Sequence, residues 1–315
     1  MSPWVATFIR LGRKMNKMED AILVHSPLYA NWVFDPTHPT QGRRFLFGRN
    51  KVILEAQKRR LNVYEIEPEM PHTEDLLLVH DDLYVYEVTI KGLSDEWTGQ
   101  RHDLGDLANL FVGGTLTALD TLLEGKTKLA IHLAGAKHHA MRDYSSGFCI
   151  FNDFAVAATK ATKLGKRVAI FDCDAHHGDG TEALLKGNKD VLTFSVHQWG
   201  IFPGTGLTSD FGKNAINFPL AAGTNDEGLF EAVKTFNEAC HEFKPDLIFI
   251  ACGADGLKDD PLSELNYTLL GYETTMRAIR TEFPDMPILF GGAGGYQPDD
   301  QTPELWANAA LKLVA

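Results

Sequence analysis

Cysteine is scarce in this sequence and poorly spaced for cross-linking or metal binding. Cys149, Cys173, Cys240 and Cys252 form no Cys-x-x-Cys pair, so neither a thiolate zinc site nor a disulfide framework is indicated. Reduced thiols in a cytoplasmic protein are the simplest expectation. Positive charge is also in deficit: 30 Lys and Arg face 42 Asp and Glu, a formal net charge of −12. That balance argues against a nucleic-acid surface and against docking on anionic lipid, and it mildly favours cationic or neutral substrates. No apolar run approaches the roughly 18 residues that a membrane span needs. The sequence has no Pro/Ser linker, low-complexity tract or internal repeat, so residues 19–315 are expected to form one domain. Residues 1–18 carry four basic side chains and no acid. They lack an early basic region and a small-residue cleavage site, and are expected to be a disordered leader or a start-site extension.

What the sequence does contain is a repeating alternation. Apolar runs of strand length occur at 21–25 (AILVH), 128–134 (KLAIHLA), 167–172 (RVAIFD), 191–197 (VLTFSVH), 246–253 (DLIFIACG) and 287–292 (PILFGG). They are continuous rather than alternating, the pattern of strands covered on both faces. Segments of helical spacing lie between them, including 106–124, 152–164, 226–242 and 268–282. Asn152 or Asp153 and Asn225 or Asp226 are placed as N-caps. This implies right-handed βαβ units and an α/β domain with a central, mostly parallel sheet.

In such sheets ligands bind beyond the carboxyl ends of the strands, and here the ionisable residues follow five of the apolar runs. The segment VAIFDCDAHHGDGTEALL, Val168 to Leu185, holds the densest cluster. Asp174 and His176 stand two apart, on one side of extended backbone, and can share a metal. Asp255, after another strand, completes a three-ligand set with an open fourth position, the way catalytic zinc is held. His138 and His139, on a loop after a third strand, are candidate proton-transfer groups because imidazole titrates near neutral pH. Asp172 and Asp179 are available to orient them. Tyr296 ends GGAGGY, where a phenol on a glycine-rich loop can steady a developing oxyanion. Phe148 and Phe202 could wall a narrow apolar channel.

Together, GAKHHAMRDYSSGFCIFND, DCDAHHGDG, SVHQWGIFPGTG, GADGLKDDPLSELNYT and GGAGGY resemble, in order and spacing, the zinc-dependent histone deacetylase family, which includes bacterial acetoin-utilisation and acetylpolyamine amidohydrolase-like members. The likeness runs from about His38 to Tyr296. It implies the arginase/deacetylase-like three-layer fold, with helices on both faces of the sheet. It implies zinc on Asp174, His176 and Asp255, acid-base work by His138 and His139 backed by Asp172 and Asp179, and carbonyl polarisation by Tyr296. Gly147, Phe148, Phe202 and Leu262 would line an acyl-lysine tunnel, with Asp95 as the rim aspartate that grips substrate backbone. A monovalent cation (K+) would draw on Asp172, Ser195 and main-chain oxygens of Asp174 and His176. Arg44 resembles an arginine near the family's internal acetate channel. Lys137 departs from the pattern, since a smaller or apolar residue is more usual there, and the rim segment before residue 103 matches poorly.

The expected reaction is hydrolysis of an N-acyl amine, either acetyl-lysine in a protein or a small acetylated amine, with oligomer formation left open. Two rivals stand beside it. A binuclear manganese ureohydrolase of the arginase type would need a second aspartate two positions after Asp255, where Leu257 stands. A catalytically inactive acyl-lysine binding protein would be expected to lack a ligand, the histidine pair or the tyrosine.

Overall fold

The computed structural model describes residues 18–314; the expected leader, apart from Met18, lies outside them. Eight strands build one sheet: β1 (Ala21–Val24), β2 (Val63–Ile66), β3 (Leu129–His132), β4 (Val168–Asp172), β5 (Val191–Gln198), β6 (Ala215–Leu220), β7 (Leu247–Ala251) and β8 (Ile288–Gly291). Their order across the sheet is β2-β1-β3-β8-β7-β4-β5-β6, and every pairing is parallel. The six continuous apolar runs are six of these strands. β1, β3, β4, β7 and β8 are buried at every position.

The two strands that the apolar runs do not reveal are the sheet edges. β2 (VYEI) is half-buried throughout, so it never forms an apolar run. β6 (AINFPL) carries Pro219, which cannot donate to a ladder and is tolerated at an edge.

Nine helices are present among the described residues: α1 (Arg43–Arg59), α2 (Thr73–Leu76), α3 (Asp82–Thr89), α4 (His102–Leu123), α5 (Asp153–Lys163), α6 (Asp179–Leu185), α7 (Asp226–Phe243), α8 (Leu269–Glu282) and α9 (Gln301–Leu311). Local chemistry sets several boundaries. Asn152 caps α5 by accepting from Ala155 N–H at 2.9 Å, Asn225 caps α7 through Glu227 N–H, and Thr268 caps α8 through Gly271 N–H. α7 buries Leu229, Val233, Phe236, Cys240 and Phe243, a three-to-four-residue stripe, and ends where Lys244 turns left-handed at φ 56°. α1 packs on α9, and α4 on α5. No helix among the described residues is long and apolar enough to cross a membrane, and all four cysteines are free and buried.

Trp306 of α9 is fully buried, stacks on Phe45 of α1 with centroids 6.0 Å apart, and donates its indole N–H to Cys252 O at 3.0 Å. It therefore clamps the α1–α9 pair onto the end of β7. Trp306→Ala should lower the unfolding free energy by about 3–5 kcal/mol, read from the urea midpoint at constant m-value.

Candidate metal centre and active site

The strand order brings the carboxyl ends of β3, β8, β7 and β4 side by side. Asp174 follows β4 by two residues, and Asp255 sits in a short 3-10 turn, Ala254–Gly256, beyond β7. His176 Nδ1 lies 3.1 Å from Asp174 Oδ1 and 2.9 Å from Asp255 Oδ2. The other carboxylate oxygens are engaged: Asp174 Oδ2 accepts from Gly294 N–H at 2.7 Å and Asp255 Oδ1 from Ala175 N–H at 2.9 Å. Each aspartate is thus held by backbone and turned so that its remaining oxygen faces the imidazole. The three donor atoms lie within 4.8 Å of one another, and this is the one such group among the described residues.

This donor set fits a divalent ion. Two carboxylates and one imidazole, all buried, put excess negative charge in a dry pocket. Burial would lower the His176 pKa, but hydrogen bonds and charge from the two aspartates raise it to about 11. Burial and the charge of Asp174 push Asp255 up to about 7, whereas Asp174 is held well below the usual carboxylate range, the cationic imidazoles of His138 and His176 outweighing its burial. The shifts of His176 and Asp255 share one cause, two carboxylates crowded together in a buried cluster. Glycine makes room for it. A Cβ on Gly253 would collide with the Asp174 carboxylate, and one on Gly294 with that of Asp255.

Beside this centre, the His138 and His139 rings lie tilted against each other with centroids 4.0 Å apart. Each has its own carboxylate: His138 Nδ1 to Asp172 Oδ2, and His139 Nδ1 to Asp179 Oδ1, both at 2.7 Å. Their environments push them in opposite directions. Burial opposes charge on His138, yet Asp172 and Asp174 raise it to about 9; burial and the neighbouring His138 cation lower His139 to about 4. The surroundings therefore favour the charged form of His138 and the neutral form of His139.

The loop carrying them is over-determined. Asp153 accepts from Ala136 N–H at 2.9 Å and Lys137 N–H at 2.7 Å, and from the Thr115 hydroxyl, and Ala136 takes a left-handed φ of 65°. On the far side His80 accepts from Asn152 N–H and lies 2.9 Å from Met141 O. Sequence reasoning placed Asp153 only as an N-cap alternative. Asn152 is the cap, and Asp153 serves the histidine loop, a role that spacing alone does not signal.

Tyr296 is half-buried, and its backbone N–H donates to Asp260 Oδ2 at 2.9 Å. Burial, then the charges of Asp255 and Asp174, push its phenol well above the usual range, so the hydroxyl keeps its proton. Phe148 meets Tyr296 ring to ring at 6.0 Å, while Phe202, 49% exposed, lies 4.9 Å from the His139 ring. Gly147 (φ 57°) passes so close to the His139 ring that no Cβ would fit. Leu262 is half-buried, and its N–H donates to the other oxygen of Asp260. Asp95 is exposed in a turn next to Ser94, whose hydroxyl lies 2.6 Å from that of Ser145. Ser195 lies across from Asp172 in the β4–β5 register. Arg44 is buried, with its guanidinium 5.6 Å from the Tyr296 ring and donating to Gly295 O at 2.6 Å.

The fold is that of the arginase/deacetylase class. It superposes on the crystal structure of the HDA15 HD domain with a TM-score of 0.84, covering 94% of this chain and 90% of that one at 23% identity. The model of the histone deacetylase domain matches residues 42–313, and the chain belongs to that family. It is 34% identical to the acetoin utilization protein AcuC of Bacillus subtilis, over 94% of this chain and 82% of that protein. It is 32% identical to histone deacetylase 8 of Xenopus laevis, over 79% of this chain and 82% of the relative.

The glycine cradle is testable. Gly253→Ala should cut bound divalent metal from about one ion per chain to a small fraction, measured by elemental analysis after zinc loading. Gly212→Ala, whose added Cβ would meet only Asp210 at 3.7 Å, should leave it unchanged.

Proposed function

We propose that this chain is a zinc-dependent amidohydrolase that removes the acyl group from acetylated amines, acetyl-lysine or a small acetylated amine being the substrate class. The observation that carries the reading is the convergence of an Asp-His-Asp donor set with two adjacent histidines, each backed by its own carboxylate. Asp174, His176 and Asp255 would hold the ion, which when bound supplies Lewis-acid polarisation of the carbonyl and a lowered pKa for water.

The protein groups then divide the proton work. Neutral His139 accepts the proton of the attacking water, and Asp179 at its far nitrogen stabilises the imidazolium that results. The Tyr296 hydroxyl donates to the carbonyl oxygen as negative charge builds on it. The C–N bond breaks as the imidazolium returns a proton to the departing nitrogen, leaving a free amine and a carboxylate. Cationic His138, held by Asp172, adds positive charge beside the developing oxyanion. Gly147, Phe148 and Phe202 wall the channel for the alkyl chain, with Leu262 and Asp95 at its rim. Asp172 and Ser195, with main-chain oxygens of Asp174 and His176, would hold a monovalent cation, K+ being the candidate. A single catalytic domain over residues 19–315 is supported by one continuous sheet and core, and a cytoplasmic setting by four free thiols.

Hydrolysis of a fluorogenic acetyl-lysine peptide should vanish with a chelator and return with zinc. His139→Ala and Tyr296→Phe should each lower kcat/KM by about 10²–10⁴-fold while bound zinc stays at the wild-type level. Wild-type turnover in either variant would overturn the assignment.

A further inference from the structure

The pocket lined by Tyr296 and the histidine pair also carries a concentration of positive charge to which the deacetylation chemistry above assigns no role. Its lining includes Thr40, Arg44, Lys137 and Cys149 together with Tyr296 and His139. Lys137 is only 4% exposed, yet its Nζ has no hydrogen bond or ion pair among the described residues. Its contacts are the faces of Phe45 and Phe111, at 5.1 and 5.0 Å. The nearby Asp153 carboxylate is committed to the backbone amides of Ala136 and Lys137 and to Thr115. Arg44 donates only to the carbonyls of Gly295 and Ala293, and its buried Nε has no partner, nor has the buried Thr40 hydroxyl.

Two buried cations and an unpaired hydroxyl around one void are an unmatched set. Buried charges are ordinarily paired, and the aromatic faces offset only part of the cost. Burial and Arg44 lower the Lys137 pKa to about 8, leaving the ammonium charged at neutral pH. The chemistry that satisfies all three groups is a carboxylate.

The position of the cavity says whose carboxylate. Given the amidohydrolase reading, on which this inference rests, the amine side of the substrate leaves through the channel past the exposed Phe202. The acyl side therefore points inward, into the cavity. The free volume of the whole pocket is only about 20 Å3, roughly one or two water positions, so a short acyl group is favoured over a longer chain. We propose that the enzyme hydrolyses amides whose acyl group carries a carboxylate one carbon beyond the carbonyl, the malonyl type, and that Lys137 is the specificity residue that selects them.

The test compares kcat/KM of the zinc-loaded full chain on one peptide bearing acetyl-, malonyl- or succinyl-lysine. Malonyl should lead and succinyl should trail it. Lys137→Met, which keeps the side chain's length and removes its charge, should lower malonyl turnover by about 30-fold or more while acetyl turnover changes by less than about threefold, and Lys137→Arg should restore part of the loss. A parallel calorimetric titration with free malonate and free acetate reads the cavity without turnover, malonate binding at least about tenfold more weakly to Lys137→Met. Acetyl hydrolysis without malonyl hydrolysis, or equal loss of both in Lys137→Met, would overturn the proposal and leave the amidohydrolase intact. Malonate and acetate binding equally, with no malonyl turnover, would make the cavity a site for product carboxylate and overturn it too. No hydrolysis of any peptide would instead sink the amidohydrolase reading, and with it the claim about Lys137.

Discussion

Two carboxylates facing one imidazole in a dry pocket is the constraint around which this structure is arranged. Asp174 and Asp255 come from strands adjacent in the sheet, β4 and β7, and each has one oxygen fixed by a backbone N–H. Left without a cation, the pair would repel at short range in low dielectric. The surrounding backbone accommodates them at a cost in side chains: Gly253 and Gly294 can be nothing larger. Such a group could hold a metal ion.

The same logic extends outward to the histidines. Imidazoles 4.0 Å apart cannot both be cations at modest cost, so charge is favoured on the one nearer the acidic centre. His138 lies 3.8 Å from Asp174 as well as 2.7 Å from Asp172, whereas His139 has Asp179 alone. Two chemically identical side chains thus sit in different electrostatic settings. Asp153, Asn152 and His80 then fix the loop on which that difference depends, with every one of their bonds buried or nearly so.

Acidic and basic groups share one pocket. Tyr296 lines it with the histidine pair, Arg44 and Lys137, and both of these cations lie against aromatic rings. The phenol, raised in pKa by burial and by the charges of Asp255 and Asp174, keeps its proton. Asp260 anchors that tyrosine through its backbone and Leu262 through its own N–H, so the loops that carry the two residues share one support.

Much of this was legible in the chain. The central strands announced themselves because residues such as Val168–Phe171 are covered on both faces and are apolar up to the strand end. For the same reason the ionisable residues had to cluster just past those ends, which is why Asp174, His176, Asp255 and the His138–His139 pair could be named beforehand. The edge strands Val63–Ile66 and Ala215–Leu220 were not legible, since one-sided burial leaves no continuous run. Nor was the strand order: contacts between β3, β8, β7 and β4 join segments far apart in sequence, and only packing decides them. Asp153 illustrates the remainder, because a residue at a helix start looks like a cap until the loop it holds is in view. So does Lys137, whose charge was visible in the sequence while its burial without a partner was not. Residue type and local period follow from the chain itself; which group faces which void is a property of the folded whole.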